Sequence, residues 1–149
     1  MKVIFLDIDG VLVTSRHWVQ SAKYFGHEFD PVCSAYLKEI VARTGAAIVV
    51  TSSWREGRTL EQIQSIFEIN DITGVAGMTP VMEGQIRGRE IETYLRSAGH
   101  SGMGIEAYII LDDEEEMGSL RSHLIETEFP TGITEEIMDE AVRRLLVGK

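Results

Sequence analysis

The sequence predicts an α/β domain built on a mostly parallel sheet, and three observations carry that prediction. Short apolar runs alternate with amphipathic segments along the whole chain. The runs are continuous rather than alternating, as in strands covered on both faces. Three of them, "KVIFLD", "AAIVV" and "AYIIL", lead into polar side chains, at the end of the strand where an open parallel sheet forms its ligand crevice.

The elements follow in order. "KVIFLD" is the first strand, and residues 11 to 29 are a long connection. A helix opens at Asp30-Pro31, an N-cap followed by proline in the first turn, carries Cys33, Leu37, Ile40 and Val41 at helical spacing, and stops near Gly45. "AAIVV", residues 46 to 50, is the second strand, and it delivers the hydroxyls of "TSSWR" to its C-terminal end. Thr59 with Gln62 fits a capping box ahead of the stripe Leu60, Ile63, Ile66 and Phe67. "ITGVAG" is a short third strand, and residues 78 to 87 are loop. A helix from about Gly88 carries Ile91, Tyr94 and Leu95 and ends at Gly99, with "SAGHSGMG" marking the next turn. "AYIIL", residues 107 to 111, is a buried strand running into Asp112 and Asp113. "SHLIET" is a further short strand, and a helix from Thr134 through Leu145 closes the chain.

Composition bounds the function. At 149 residues the chain suits one domain, 1–149, with a real core. Its apolar fraction is 44 % with no run approaching the roughly 18 residues of a membrane span, so no membrane partner is expected. The N-terminal apolar run is broken by Asp7 and no small-residue cleavage site follows, which argues for a cytoplasmic location. Cys33 is the only cysteine, which fits a reducing compartment and a small core residue. The formal charge of -10 repels phosphate at long range, although a local basic pocket can still hold one phosphoryl group.

The chemistry lies where the strands end. The first supplies Asp7 and Asp9, the second Thr51 and Ser52, and the "IIL" strand Asp112 and Asp113. Four carboxylates in one crevice raise at least one pKa unless a cation compensates, and a hard divalent ion with oxygen ligands, most simply Mg²⁺, fits them best. Hydroxyls suit phosphate oxygens, and Arg87 at a helix start could offset the charge of a bound phosphoryl group.

Each piece also has a structural reading. Asp9-Gly10 is a hairpin signal, Asp112 and Asp113 open the solvated-looking run "DDEEE", Thr51 and Ser52 are good caps, and Arg87 could lie on the surface. An EF-hand fails on spacing, because its fifth and twelfth positions from Asp7 are Val11 and Trp18. His17, His27, His100 and His123 show no paired ligand spacing, and Trp54 either packs on the sheet or stacks on a substrate ring.

These motifs resemble the haloacid dehalogenase-like (HAD) superfamily of phosphotransferases. "FLDIDGVLV" matches its first motif, "IVVTSSW" its second, Arg87 its third and "IILDDE" its fourth, in family order between residues 3 and 113. The resemblance implies a three-layer, Rossmann-like sandwich with little or no cap, since residues 11 to 29 are too few for a large one. It implies that Asp7 is the nucleophile of a phosphomonoesterase, forming an aspartyl-phosphate, and that Asp9 protonates the leaving oxygen and then activates water. Mg²⁺ would be held by Asp7, the Asp9 carbonyl, and Asp112 or Asp113. Thr51, with Ser52 as its rival, would bind the phosphoryl group. Arg87, with Arg89 as its rival, would stand where the family more usually has lysine. The pattern is similar to small stand-alone HAD domains that occur in RNA-repair assemblies and, less closely, to the phosphatase half of phage polynucleotide kinase. An open site would admit a small phosphomonoester or a nucleic-acid end, and Arg55 would help grip it. Two other classes stand beside this one: a receiver-like phosphoacceptor module, whose acid pair would follow the first strand rather than the late one, and a catalytically silent interaction domain.

Overall fold

Alternation of side chains along a buried strand gives the protein two apolar layers. In strand β1 (Lys2–Leu6), Ile4 and Leu6 join one core while Val3 and Phe5 join the other, and all four are buried. The same alternation holds in β2 (Ala47–Val50), where Ile48 and Val50 oppose Val49, and in β4 (Ala107–Asp112), where Ile109 and Leu111 oppose Ile110. With β3 (Val75–Met78) and β5 (Leu124–Glu126) these strands form one five-stranded sheet, parallel throughout, in the order β3-β2-β1-β4-β5. These coordinates are a computed structural model describing residues 1–100 and 104–147.

The helices cover both faces. Helix α1 (Pro31–Thr44) is capped by the Asp30 side chain, which accepts from the Val32 amide, and ends at Gly45 in the left-handed region. Helix α2 (Leu60–Ile69) begins with the full capping box, Thr59 and Gln62 each accepting the other's amide at 3.1 and 2.8 Å. The buried faces of α1, α2 and α4 (Glu135–Val147) share the core that contains Ile4 and Leu6. Helix α3 (Arg87–His100) covers the opposite face, packing Ile91, Tyr94 and Leu95 against Val3, Phe5 and Val49. No described helix is long and apolar enough to cross a membrane.

The elements match the sequence reading with local differences. The helix expected to stop at Gly99 reaches His100, and most of "SHLIET" is divided between a 3-10 turn, Gly118–His123, and the short β5. Part of the turn "SAGHSGMG" lies outside the described residues. The connection from 11 to 29 contains two isolated antiparallel bridges, Thr14 to His17 and Gln20 to His27. Cys33 is fully buried, and burial pushes its thiol up to about 11, as suits an unreactive core residue.

Strand register is what positions the site. Leu6 is level with Val50 on one side and with Leu111 on the other, so the next residue of each strand falls in one row. The Asp7 amide donates to the Leu111 carbonyl at 3.0 Å and the Thr51 amide to the Leu6 carbonyl at 2.9 Å. Asp7, Thr51 and Asp112 therefore lie side by side where the strand order reverses, the place where open α/β sheets bind ligands.

Candidate active site

Asp7, Asp112 and Asp113 each present a carboxylate oxygen, and these oxygens lie within 4.8 Å of one another. Asp7 and Asp112 are buried, whereas Asp113 is open to solvent. Asp7 is held by the Ile8 amide, which donates to its Oδ1 at 2.8 Å. Asp112 Oδ1 accepts from the Glu114 amide at 2.9 Å. Fixed carboxylates at this separation are costly. Burial, followed by repulsion from Asp112, pushes the Asp7 carboxyl well above the usual carboxylate range, against the pull of Arg87. Partial desolvation of the Asp113 carboxyl beside the cluster, followed by repulsion from Asp112, pushes Asp113 up as well.

One guanidinium partly answers this charge. Arg87, the first residue of α3, sets Nη1 at 2.8 Å from Asp112 Oδ2 and 3.2 Å from Asp7 Oδ2. Burial opposes its charge, but Asp7 and Asp112 outweigh burial and push its pKa up, so it stays protonated. Arg89 pairs with Glu92 at 3.6 Å on the exposed side of the same helix, so of the two arginines weighed from sequence it is Arg87 that reaches the acids. Three acids still face a single cation. A hard, oxygen-seeking divalent metal fits that surplus, and the raised Asp7 and Asp113 carboxyls are what such an ion would relieve.

Asp9 stands apart from this cluster. Its carboxylate is exposed, and Oδ2 accepts from the Trp54 indole N–H at 3.2 Å. The chain leaves β1 by a tight turn in which the Ile8 carbonyl accepts from the amides of Val11, Leu12 and Val13. Gly10 has φ +82°, and a β-carbon there would collide with the Asp113 carboxylate. Its carbonyl is held by the Thr127 hydroxyl at 2.7 Å. The turn signal was sound, but no antiparallel hairpin follows: the ladder contact is an isolated parallel bridge between Asp9 and Val13.

The two hydroxyls differ. Ser52 caps the 3-10 turn Ser53–Arg55, its side chain accepting from the Trp54 amide at 3.1 Å. Thr51 is fully buried and its Oγ1 has no hydrogen-bond partner among the described residues, an unsatisfied group that a ligand or water would answer.

Arg55 lines the cleft beside α3 but turns its charge inward: its side chain is 3 % exposed and every guanidinium nitrogen is engaged inside the protein. Nε donates to the Thr79 carbonyl, Nη1 to the carbonyls of Thr51 and Ser52, and Nη2 to the Pro80 carbonyl and to Glu90, the last at 2.8 Å. Glu90, which sequence reasoning missed, also accepts from the Met82 amide and sits three residues after Arg87 on α3. The pair thus ties the end of β2 to the start of α3. The Trp54 bond to Asp9 was missed too. No local pattern signals a contact between residues 45 apart.

A row of acids at the carboxyl ends of β1 and β4, a buried hydroxyl at the end of β2 and a basic residue at the start of α3 define a HAD-like α/β domain. Comparison with known families agrees: the model of the HAD domain in Swiss Army Knife RNA repair proteins matches residues 3–138. The chain belongs to that family. No curated protein matches it.

Proposed function

We propose that this chain is a Mg²⁺-dependent phosphomonoesterase working through an aspartyl-phosphate on Asp7. The observation that carries the reading is the different setting of two acids two residues apart: Asp7 is buried within the three-acid cluster, whereas Asp9 is exposed and tethered to an indole outside it.

Asp7, Asp112 and Asp113, with the Asp9 carbonyl, would hold the metal, which when bound supplies charge neutralisation and polarises the phosphoryl oxygens. Thr51 would donate its unpartnered hydroxyl to a phosphoryl oxygen, with the Ser52 loop framing it, and Arg87 would meet the phosphoryl charge. An Asp7 carboxylate oxygen attacks phosphorus, the bond to the leaving oxygen breaks, and that oxygen takes a proton from Asp9. Asp9, now ionised, removes a proton from a water that attacks the same phosphorus, which frees Asp7 and inorganic phosphate. Arg55 acts indirectly, by holding the Thr51 and Ser52 carbonyls in place. The family match favours phosphoryl transfer over a receiver-like module, and the RNA-repair setting of the family supports a nucleic-acid end or a nucleotide as substrate.

Turnover of an aryl phosphate with Mg²⁺ tests the reading. Activity should vanish with EDTA and in Asp7→Asn, and full activity in that variant would overturn the assignment.

A further inference from the structure

Clefts of different chemistry flank the three-acid cluster on two sides. Toward α3 the cleft is about 580 Å³ and acidic, with Glu56, Glu83, Glu114 and Glu116 on its walls. On the Asp9 side lies a cleft of about 300 Å³ lined by Trp18, Phe25, His27, Trp54 and Arg58, with Asp9 its one acid. In the proposed reaction Asp9 protonates the leaving oxygen, so whatever that oxygen is attached to must lie near Asp9.

The aromatic cleft is built rather than incidental. Trp54 lines it, fixed by Phe29 and Tyr24 at ring distances of 6.1 and 6.2 Å and by its bond to Asp9. Gly26 lies against the Trp54 ring so closely that a β-carbon would come within 2.9 Å of it. Arg58 clamps the two segments together, donating to the Trp54 carbonyl at 3.0 Å and the Phe25 carbonyl at 2.5 Å. The loop so held leaves two large rings in solvent: Phe25 is 84 % exposed and Trp18 55 %. Trp18 is itself braced, with its ring 3.7 Å from that of His27 and edge-on to Phe129 at 5.6 Å. Exposed rings beside a cation suit a planar, π-rich ligand, as single-stranded nucleic-acid sites do. A sugar phosphate offers such a site no π-face to stack.

We infer that Trp18 and Phe25 form a leaving-group subsite that stacks the base adjoining the scissile phosphate, so that the substrate is a nucleotide or the phosphorylated end of a nucleic-acid strand. This rests on the phosphomonoesterase reading for the direction of the leaving group, and on the aromatic cleft for its chemistry.

The test is the ratio of kcat/KM for adenosine 3'-monophosphate to that for ribose 5-phosphate, in the parent protein and in a Trp18→Ala, Phe25→Ala double variant. Both side chains are largely exposed, so the variant should fold, with its melting curve as the check. The ratio should fall about tenfold or more, the loss of one stacked base. An unchanged ratio overturns the subsite while leaving the phosphatase reading intact. A 3'-phosphorylated oligonucleotide forms a second arm: a larger loss on it than on the mononucleotide assigns the base to a strand end, and an equal loss assigns it to a free nucleotide. If the parent turns over neither small substrate nor the oligonucleotide, the phosphatase reading fails, and calorimetry still decides the subsite. Tighter binding of the nucleotide than of ribose 5-phosphate, lost in the double variant, upholds it, and equal binding overturns it.

Discussion

Two arginines, Arg55 buried and Arg87 partly buried, stand at the same end of the sheet, and their partners set them apart. Arg55, after β2, meets four carbonyls and one carboxylate, and none of its nitrogens is left over. Arg87, at the start of α3, meets two carboxylates of a cluster of three, so negative charge remains in excess around it. A buried charge matched completely by fixed groups is scaffold. A partly buried charge within a surplus of the opposite sign marks ground prepared for a ligand, because the surplus has to be answered by something not yet there.

The largest expected effect falls on the scaffold side. Replacing Arg55 by Met removes the donor to five fixed acceptors and strands Glu90 as a buried charge, which should cost about 3–5 kcal/mol of stability in urea unfolding. Adding Glu90→Leu to that variant should recover part of the loss, since the stranded charge is gone. A midpoint unmoved in Arg55→Met would erase the distinction between the two arginines.

Arg87→Ala should show the opposite profile. With Mg²⁺ present its kcat should drop by about 10²–10³, the usual consequence of removing one group that meets transition-state charge, while the fold keeps more stability than in Arg55→Met. Loss of stability without loss of kcat would make Arg87 a second scaffold residue.

The surplus itself has a pH signature. The folded-state pKa of Asp7 is raised above its unfolded value. Its contribution to stability is therefore fully present below the ordinary carboxylate pKa of about 4 and is lost as pH rises through the folded value. In EDTA, Asp7→Asn should thus melt with the parent near pH 4 and above it at neutral pH. Each kcal/mol should appear as about 2–4 °C for a chain of this size. Mg²⁺ should shrink or reverse the gap, because only the parent keeps all three carboxylates. A gap independent of both pH and metal would show that the cluster is not under charge strain.

Which of these features could be read in the sequence follows from how locally each is encoded. The parallel sheet and the row Asp7, Thr51 and Asp112 were legible, because a continuous apolar run says where a strand ends and the sheet brings those ends level. The caps Asp30 and Thr59 were legible because their bonds span two or three residues. Arg55 was not. Whether a cation turns inward depends on the Thr79 and Pro80 carbonyls and on Glu90, all supplied by later elements. The loop from 11 to 29 carries no periodicity, so neither its bridges nor the exposure of Phe25 could be foreseen. Asp9-Gly10 was half legible: the turn is real, yet a close approach by Asp113, distant in sequence, also requires that glycine.

The smallest effect should separate the two arginines most finely. Lysine carries the same charge on a single head with three donors, whereas arginine spreads five donors over a plane. At position 87 one nitrogen makes both contacts to the acids, so a point charge can stand in for it, and Arg87→Lys should cost less than about tenfold in kcat/KM. At position 55 acceptors sit around all three nitrogens, and no single ammonium can reach the Thr79, Thr51, Ser52 and Pro80 carbonyls together with Glu90. Arg55→Lys should therefore lose stability nearly as Arg55→Met does. Equal tolerance of lysine at both positions would mean that charge alone, and not the planar fork, holds the end of β2. Intolerance at position 87 would mean that the guanidinium meets the phosphoryl group through two nitrogens at once, and the lysine more usual in the family could then not be its functional equal here.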